Sequence, residues 1–392
     1  MQFFPLIFLY LITTKVTTSK RKYKTKAKYY TSHINKTQLN KAILEAKRKF
    51  DLFKAGKLAG EIPKFELRAL ISVILPAFNM EKYIATAIRS IQNQSFKDLE
   101  IVVVDDKSTD GTVQVVKEML GEDKRIRLFE NKENRGTLFT RSFGTYAAKG
   151  EYVVYLDPDD LFFNRRILEI AYENAREKNV DIVEFMSLKG NQMSLRLFTR
   201  DVFSKDKTIF YQPELKYRPY FLNNQIRLNA VELCFKLIKR QTMIKTLDHL
   251  KSKGILDSYI TVYEDQLVNF YLYHKANSSM ILREYGVYYY QRPYSASNSF
   301  QDEAAINRTL SSALKVMNFL YEKRDAETEK GVRKFFEYLY FRFVKRFFSH
   351  GNKDSKEWRA YVRNVRNCDF CGEKFKKEVL DSFVEKIIEE DL

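Results

Sequence analysis

Apolar and polar positions change their repeat twice along this chain, and the changes divide it into stretches of different character. Leu39, Ile43, Ala46, Phe50 and Phe53 fall at alternating four- and three-residue spacings, which predicts an amphipathic helix over 38–56 ending at Gly56. From Leu70 the pattern becomes short apolar runs separated by helical periodicity. The runs Ile71–Leu75, Glu100–Val104, Ile126–Phe129, Tyr152–Leu156 and Asp181–Phe185 predict strands. The segments 81–94, 111–120, 137–148 and 164–178 predict helices between them, with Gly111 and Asn164 where caps are wanted. Strands alternating with helices imply βαβ units and a mainly parallel, Rossmann-like central sheet with flanking helices, an α/β fold.

After residue 190 the alternation fades into an aromatic-rich, irregular stretch, with one helix-like run at Gln266–His274. From Gln301 the pattern is helical nearly throughout, at about 302–323, 326–349, 355–366 and 373–390, a helical C-terminal region. The second of these is apolar all round, from Phe335 to Phe348, broken by Arg342, Lys345 and Arg346. Such a helix suits a packed core, and its basic residues would also suit a membrane interface. The expected organisation is a leader over 1–19, a basic arm with its amphipathic helix over 20–69, the α/β domain over 70–300, and the helical region over 301–392.

Two of the strands stop abruptly in carboxylates. Val102-Val103-Val104 runs into Asp105-Asp106-Lys107-Ser108-Thr109-Asp110-Gly111, and Tyr152-Val153-Val154-Tyr155-Leu156 into Asp157-Pro158-Asp159-Asp160. A β-branched run ending this way reads as a buried parallel strand whose C-terminal end opens into a crevice. In open α/β sheets ligands bind at that end. Carboxylates gathered there repel one another unless a cation neutralises them, so a hard divalent metal and a phosphate-bearing ligand are the natural occupants. Asp157 and Asp159 lie two apart and in an extended segment point to one side, sharing such a cation. With only four histidines in the chain, Mg²⁺ or Mn²⁺ is expected rather than zinc. Pro76 and Asn79 end the first strand, where backbone groups reach a base or ribose. Asp110 is a candidate cap for the helix that follows.

Length and composition describe a large globular chain: 392 residues, 45% hydrophobic, 30% charged and 15% aromatic. The net charge of +18 is uneven. No acidic residue precedes Glu45, while Lys15, Lys20, Arg21, Lys22, Lys24, Lys26, Lys28, Lys36 and Lys41 do. A solvated linker is the plain reading of this arm, and peripheral contact with anionic lipid the sharper one. No nucleic-acid motif accompanies the charge. Phe3–Ile12 is too short to span a bilayer, which takes about 20 residues, but matches a signal-peptide core followed by small residues at Val16-Thr17-Thr18-Ser19. Entry to the secretory pathway (an ER or Golgi lumen) or membrane association is expected, with a cytoplasmic location as the alternative. Cys234, Cys368 and Cys371 form neither a disulfide framework nor a four-ligand zinc site.

Residues 71 to about 300 resemble family-2 glycosyltransferases of the GT-A fold through several motifs in order. Ile71–Asn79 is similar to the opening strand and nucleotide-binding turn, and Ile91–Phe96 with Glu100–Gly111 to the second strand and its Asp-Asp-x-Ser-x-Asp-Gly loop. Asn134-x-Gly136, Arg141 and Ala148–Tyr152 fit the next helix and strand, and Leu156–Asp160 fits the Asp-x-Asp segment. Glu264-Asp265 matches a late acidic pair, and Tyr288–Arg292 with Ser295–Ser297 the segment that closes the domain. The resemblance implies an inverting, metal-dependent enzyme moving one sugar from a nucleotide sugar, a UDP-sugar by expectation, to a glycan or glycoprotein acceptor.

It also implies residue roles. Asp106 would accept hydrogen bonds from the base, with Pro76, Ala77 and Asn79 around the nucleotide. Asp157 would serve the ribose, and Asp159 would be the firmer ligand of a Mn²⁺ or Mg²⁺ that acts as Lewis acid on the leaving diphosphate. Arg141 would place positive charge near that diphosphate, or would be an ordinary helix-surface arginine. Asp265 would be the base that deprotonates the acceptor, supported by Glu264. The plain alternative for this acidic pair is a charge match to a helix N-terminus. Gln291, Arg292 and Ser295 would line the diphosphate or a closing loop. Processive members carry a Gln-x-x-Arg-Trp pattern and several membrane spans, whereas here the lone Trp358 follows Lys356-Glu357. Two competing functions keep the fold: a sugar-phosphate nucleotidyltransferase, whose glycine-rich basic loop is absent from Pro76–Glu81, and a non-catalytic glycan-binding relic, disfavoured by the intact acids.

Overall fold

The computed structural model describes residues 69–190, 207–211, 232–292, 303–322 and 363. The chain divides into units Met1–Glu66 and Leu67–Leu392, and the described residues all belong to the second. The expected leader, arm and 38–56 helix, the part of the closing segment after Arg292, and the helices expected beyond 323, apart from residue 363, lie outside the described residues.

The first half follows the alternation read from sequence: β1 (Ile71–Ala77), α1 (Ile84–Gln92), β2 (Leu99–Asp105), α2 (Thr112–Glu122), β3 (Ile126–Glu130), α3 (Thr137–Ala147) and β4 (Tyr152–Tyr155). Every residue of β1, β2 and β4 is buried, as a continuous apolar run with helices on both faces requires. After these come β5 (Leu161–Phe162), α4 (Ile167–Lys178), β6 (Ile182–Gly190), β7 (Lys207–Tyr211), β8 (Lys236–Lys239), α5 (Arg240–Ser252), α6 (Glu264–Lys275), β9 (Ser278–Tyr290) and α7 (Glu303–Glu322). One nine-stranded sheet results, ordered β3-β2-β1-β4-β8-β6-β9-β5 with β7 on β9.

The block β3-β2-β1-β4 is parallel throughout. Beyond β4 the sheet is mixed: β8 runs antiparallel to both β4 and β6, β6 and β9 pair in parallel, and β5 and β7 lie antiparallel to β9. The sequence reading of a mainly parallel sheet therefore describes the first half better than the second. The short β8 has no alternation of its own to announce it, and its place comes from pairing with distant strands.

Close packing of α3 on this sheet depends on Gly144, where a Cβ would come within 2.6 Å of the Ile74 side chain. At the opposite end of the sheet from the acidic turns, Glu100 is a structural hub. It accepts hydrogen bonds from Ser72 Oγ (2.6 Å) and the Lys149 N–H, and pairs with Arg127 (2.8 Å). Helix α2 begins beside Gly111 as expected, with Asp110 accepting the N–H of Thr112 at 3.0 Å and of Glu81 at 3.1 Å. Those bonds hold the Asp110 carboxyl below its ordinary range even though burial works the other way. Helix α4 starts one turn later than Asn164 suggests, and Asn164 Oδ1 accepts the N–H of Arg166 at 2.9 Å.

Candidate active site

Parallel strands β2, β1 and β4 are neighbours, so their C-terminal ends place Asp105-Asp106, Pro76-Ala77-Phe78-Asn79 and Asp157–Asp160 along one rim. At the β1 exit the Ala77 carbonyl accepts the Asp106 N–H at 2.7 Å. Asn79 takes a left-handed conformation (φ 54°), donates its N–H to Ser108 Oγ at 2.9 Å and accepts the Thr109 N–H at 2.8 Å through Oδ1. Its amide thus ties the two loops together, so the turn is shaped before any ligand arrives. Between them Phe78 is 43% exposed, an open aromatic face that sequence reasoning did not single out.

Asp106 is buried, and both its oxygens meet protein donors. Oδ1 accepts from Asn131 Nδ2 (2.8 Å) and the Arg135 N–H (2.9 Å), and Oδ2 from the Gly136 N–H (2.8 Å). Gly136 has φ 84°, which favours glycine, and stands at the start of α3. The Asp106 carboxylate therefore fixes the entrance to α3. The buried Asp105 Oδ1 has no partner among the described residues, while its Oδ2 accepts the Ser108 N–H at 3.0 Å.

Arg141 is neither a surface residue nor an isolated cation. Helix α3 buries it against the sheet, where one nitrogen donates to Asp157 Oδ1 and another to Glu264 Oε1, both at 2.6 Å. The same side chain lies 3.8 Å from Cys234 Sγ. Burial works against the charged guanidinium, but Asp157, Cys234, Glu264 and Asp265 outweigh it and push its pKa up, so it stays protonated. Arg141 thus joins the β4 exit to the first turn of α6. A small cavity behind it is lined by Leu138, Tyr155, Leu233 and Leu247 together with Arg141 and Glu264.

Helix α6 begins at Glu264, so the acidic pair occupies its first turn, after Tyr263 in a left-handed conformation (φ 71°). Burial raises both carboxyls. Asp265 is pushed up to about 8, by burial first and then by Glu264, with Arg141 opposing. Arg141 touches Glu264 directly, which favours the Glu264 carboxylate and leaves Asp265 as the group that holds a proton. Behind them lies a buried charge network the sequence did not suggest. Lys236 and Glu184 face each other across β8 and β6, Lys236 Nζ donates to the Glu232 carbonyl, and Glu184 accepts the Tyr273 hydroxyl at 2.7 Å.

The Asp157–Asp160 turn carries three carboxylates. Asp159 pairs with Arg292 Nε at 2.6 Å, yet burial and then Asp157 raise its pKa. Asp160 is buried and pushed far up by burial, Asp159 and Asp157. Its Oδ1 accepts the Tyr290 N–H at 3.0 Å, and its buried Oδ2 has no partner among the described residues. No cluster of three His, Cys, Asp or Glu able to hold a metal by protein ligands alone occurs among the described residues. The donor set that is present, mutually repelling oxygens with one orphaned and buried, fits a hard cation that completes its shell with phosphate oxygens and water.

The fold and this rim define the GT-A class, a mixed α/β sheet with acids at its strand exits. S. aureus TarS residues 1–349, solved in complex with UDP-GlcNAc, shares the fold at TM-score 0.53 and 21% identity, over 78% of this chain and 82% of that one. Residues 72–240 match the model of glycosyl transferase family 2. An uncharacterized glycosyltransferase of Haemophilus influenzae is 25% identical over 283 residues, 70% of this chain and 97% of its own length. The cholesterol galactosyltransferase of Borreliella burgdorferi is 26% identical over 306 residues, 75% of this chain and 81% of its own. The family-2 match over residues 72–240, together with these relatives, marks the chain as a glycosyltransferase that draws on a nucleotide sugar.

Proposed function

We propose that this enzyme transfers a single sugar from a nucleotide sugar, a UDP-sugar, to a hydroxyl of a glycan or glycoprotein acceptor, with inversion and with the help of Mn²⁺ or Mg²⁺. The observation that carries the reading is the Arg141 bridge, which brings the Asp157–Asp160 turn and the Glu264-Asp265 pair into one site. An inverting single displacement needs both features in one site, a cation site on the diphosphate side and a carboxylate that takes the acceptor proton from the opposite side of the anomeric carbon.

Asp265 is the candidate base. Its raised pKa, about 8, puts the carboxylate close to working pH and makes it a stronger proton acceptor than an ordinary aspartate. Glu264, held by Arg141, keeps a negative charge beside it and orients the turn. Asp159, with Asp157, would hold the divalent cation, which supplies Lewis-acid stabilisation of the departing diphosphate. Pro76, Ala77 and Asn79 shape the nucleotide turn, and the exposed ring of Phe78 offers a face for a base. Asp106 serves the nucleotide by holding the 131–136 segment and, through the remaining lone pair of Oδ2, by reaching the base. The UDP choice is supported by the UDP-GlcNAc named for TarS.

Passage through the secretory pathway, or membrane association through the basic arm, remains part of this proposal. No helix among the described residues is long and apolar enough to cross a membrane. Separate variants test the chemistry. Asp159→Ala weakens Mn²⁺-dependent binding of UDP, read by thermal shift with and without the metal. Asp265→Ala preserves that binding and abolishes transfer. Unchanged turnover in both variants sinks the assignment, and uptake of glycans with no nucleotide response would favour the relic.

A further inference from the structure

Arg292 stands where β9 leaves the sheet, and its environment is built rather than incidental. Its Nε–H donates to Asp159 Oδ2 at 2.6 Å. Its guanidinium carbon lies 5.1 Å from the centre of the Tyr83 ring, and Tyr83 lies against Tyr290 with centroids 6.0 Å apart. Two residues before Arg292, the Tyr290 N–H donates to Asp160 Oδ1 at 3.0 Å. The β9 exit is thus joined to the acidic turn by one ion pair and one backbone bond. The side chains of Arg292 and Asp159 are only 17% and 13% exposed, so solvent screens the pair weakly.

The charges of this turn are divided among distinct partners. Asp157 faces Arg141, Asp159 faces Arg292, and Asp160 faces a backbone N–H. We propose that Arg292 is the internal counter-cation of Asp159, which a divalent metal must displace, so that the Arg292–Asp159 ion pair and metal occupancy exclude one another. This rests on the reading of Asp159 as a metal ligand. A guanidinium bonded to one oxygen of a carboxylate sits within about 5 Å of a cation on the same group. Even at the dielectric constant of water, a unit and a double charge at that separation repel enough to change an equilibrium constant by about tenfold.

The pair therefore keeps the acids compact without metal and holds down affinity for metal alone. A metal arriving with a nucleotide brings a diphosphate that can receive the displaced guanidinium. Metal and nucleotide then bind together better than either binds alone.

The test uses the full chain and Mn²⁺ without nucleotide, with free Mn²⁺ followed by electron paramagnetic resonance. Arg292→Gln is expected to bind Mn²⁺ about tenfold more tightly than the unaltered protein. Arg292→Lys, which keeps the charge, is expected to stay within about threefold of it, and Asp159→Asn combined with Arg292→Gln to lose the gain. Tyr83→Ala loosens the seat of the guanidinium without touching the acids, so it should give a smaller gain and serves if Arg292→Gln does not fold. Equal or weaker Mn²⁺ binding by Arg292→Gln, or by Tyr83→Ala in its place, overturns the inference. If the unaltered chain takes up no Mn²⁺ even with UDP present, the metal reading of Asp159 fails first and takes this one with it. Uptake with UDP but no gain in the variants overturns the inference alone.

Discussion

Replacing Arg141 by methionine keeps the length of the side chain and removes the charge that joins two parts of the site. Both ion pairs are 2.6 Å long, but their surroundings differ: the Glu264 side chain is 7% exposed and that of Asp157 is 32% exposed. Removing one partner of a buried pair costs about 3–5 kcal/mol, because a charge stays behind in a poorly solvated place. That figure applies to Glu264. Asp157 keeps water around it, so its share is about 0.5–1 kcal/mol. The total, about 4–6 kcal/mol, is a large part of the roughly 5–15 kcal/mol that holds a typical domain together.

Urea unfolding of the unaltered chain, Arg141→Met, Glu264→Gln and the double variant measures this directly. The double variant should be more stable than Arg141→Met, with a coupling of about 2–3 kcal/mol, since its buried group is neutral. Arg141→Lys should recover only part of the loss, because a point charge cannot fork between two carboxylates. The reasoning is refuted if Arg141→Met unfolds within about 1 kcal/mol of the unaltered protein, or if the two single effects simply add.

Other consequences follow from the same geometry. The folded protein holds a proton on Asp265 up to about pH 8, whereas an unfolded aspartate releases it near pH 4. Between those values the native state binds more protons than the unfolded one, so this group makes stability fall as pH rises. Asp265→Asn should flatten that slope in urea titrations across the window, and an unchanged slope would exclude the assignment. In the active enzyme the same group should make turnover climb with pH toward 8, and Arg141→Lys, by weakening the opposing charge, should move the climb to higher pH. Glu100→Ala removes the acceptor for Ser72, Lys149 and Arg127 at the far end of the sheet. It should lower stability by about 2–4 kcal/mol in thermal or urea unfolding. Donor KM should be unchanged in the fraction that folds, because nothing at the acidic rim is touched.

Much of the first half of the domain was legible in the sequence. The runs that end in Asp105-Asp106 and Asp157–Asp160 are strands buried on both faces, and a buried strand must be continuously apolar until its exit. Helices α1 to α4 announce themselves through spacing, and α6 appears as the run after Glu264-Asp265. These are local properties, carried by residues a few positions apart. The antiparallel insertion of β8 was not legible, because four residues have too little pattern to say which strands they join. Nor was the pairing of charges. The strand exits mark Asp157 and Asp159, and the resemblance adds Arg141, Glu264 and Arg292, but neither tells that Arg141 spans two acids while Arg292 takes a third. Which cation meets which carboxylate depends on how α3, α6 and the end of β9 pack around the sheet. In that low-dielectric setting a buried charge must find its partner wherever the chain brings one, so tertiary structure alone decided how the acids of this enzyme are shared.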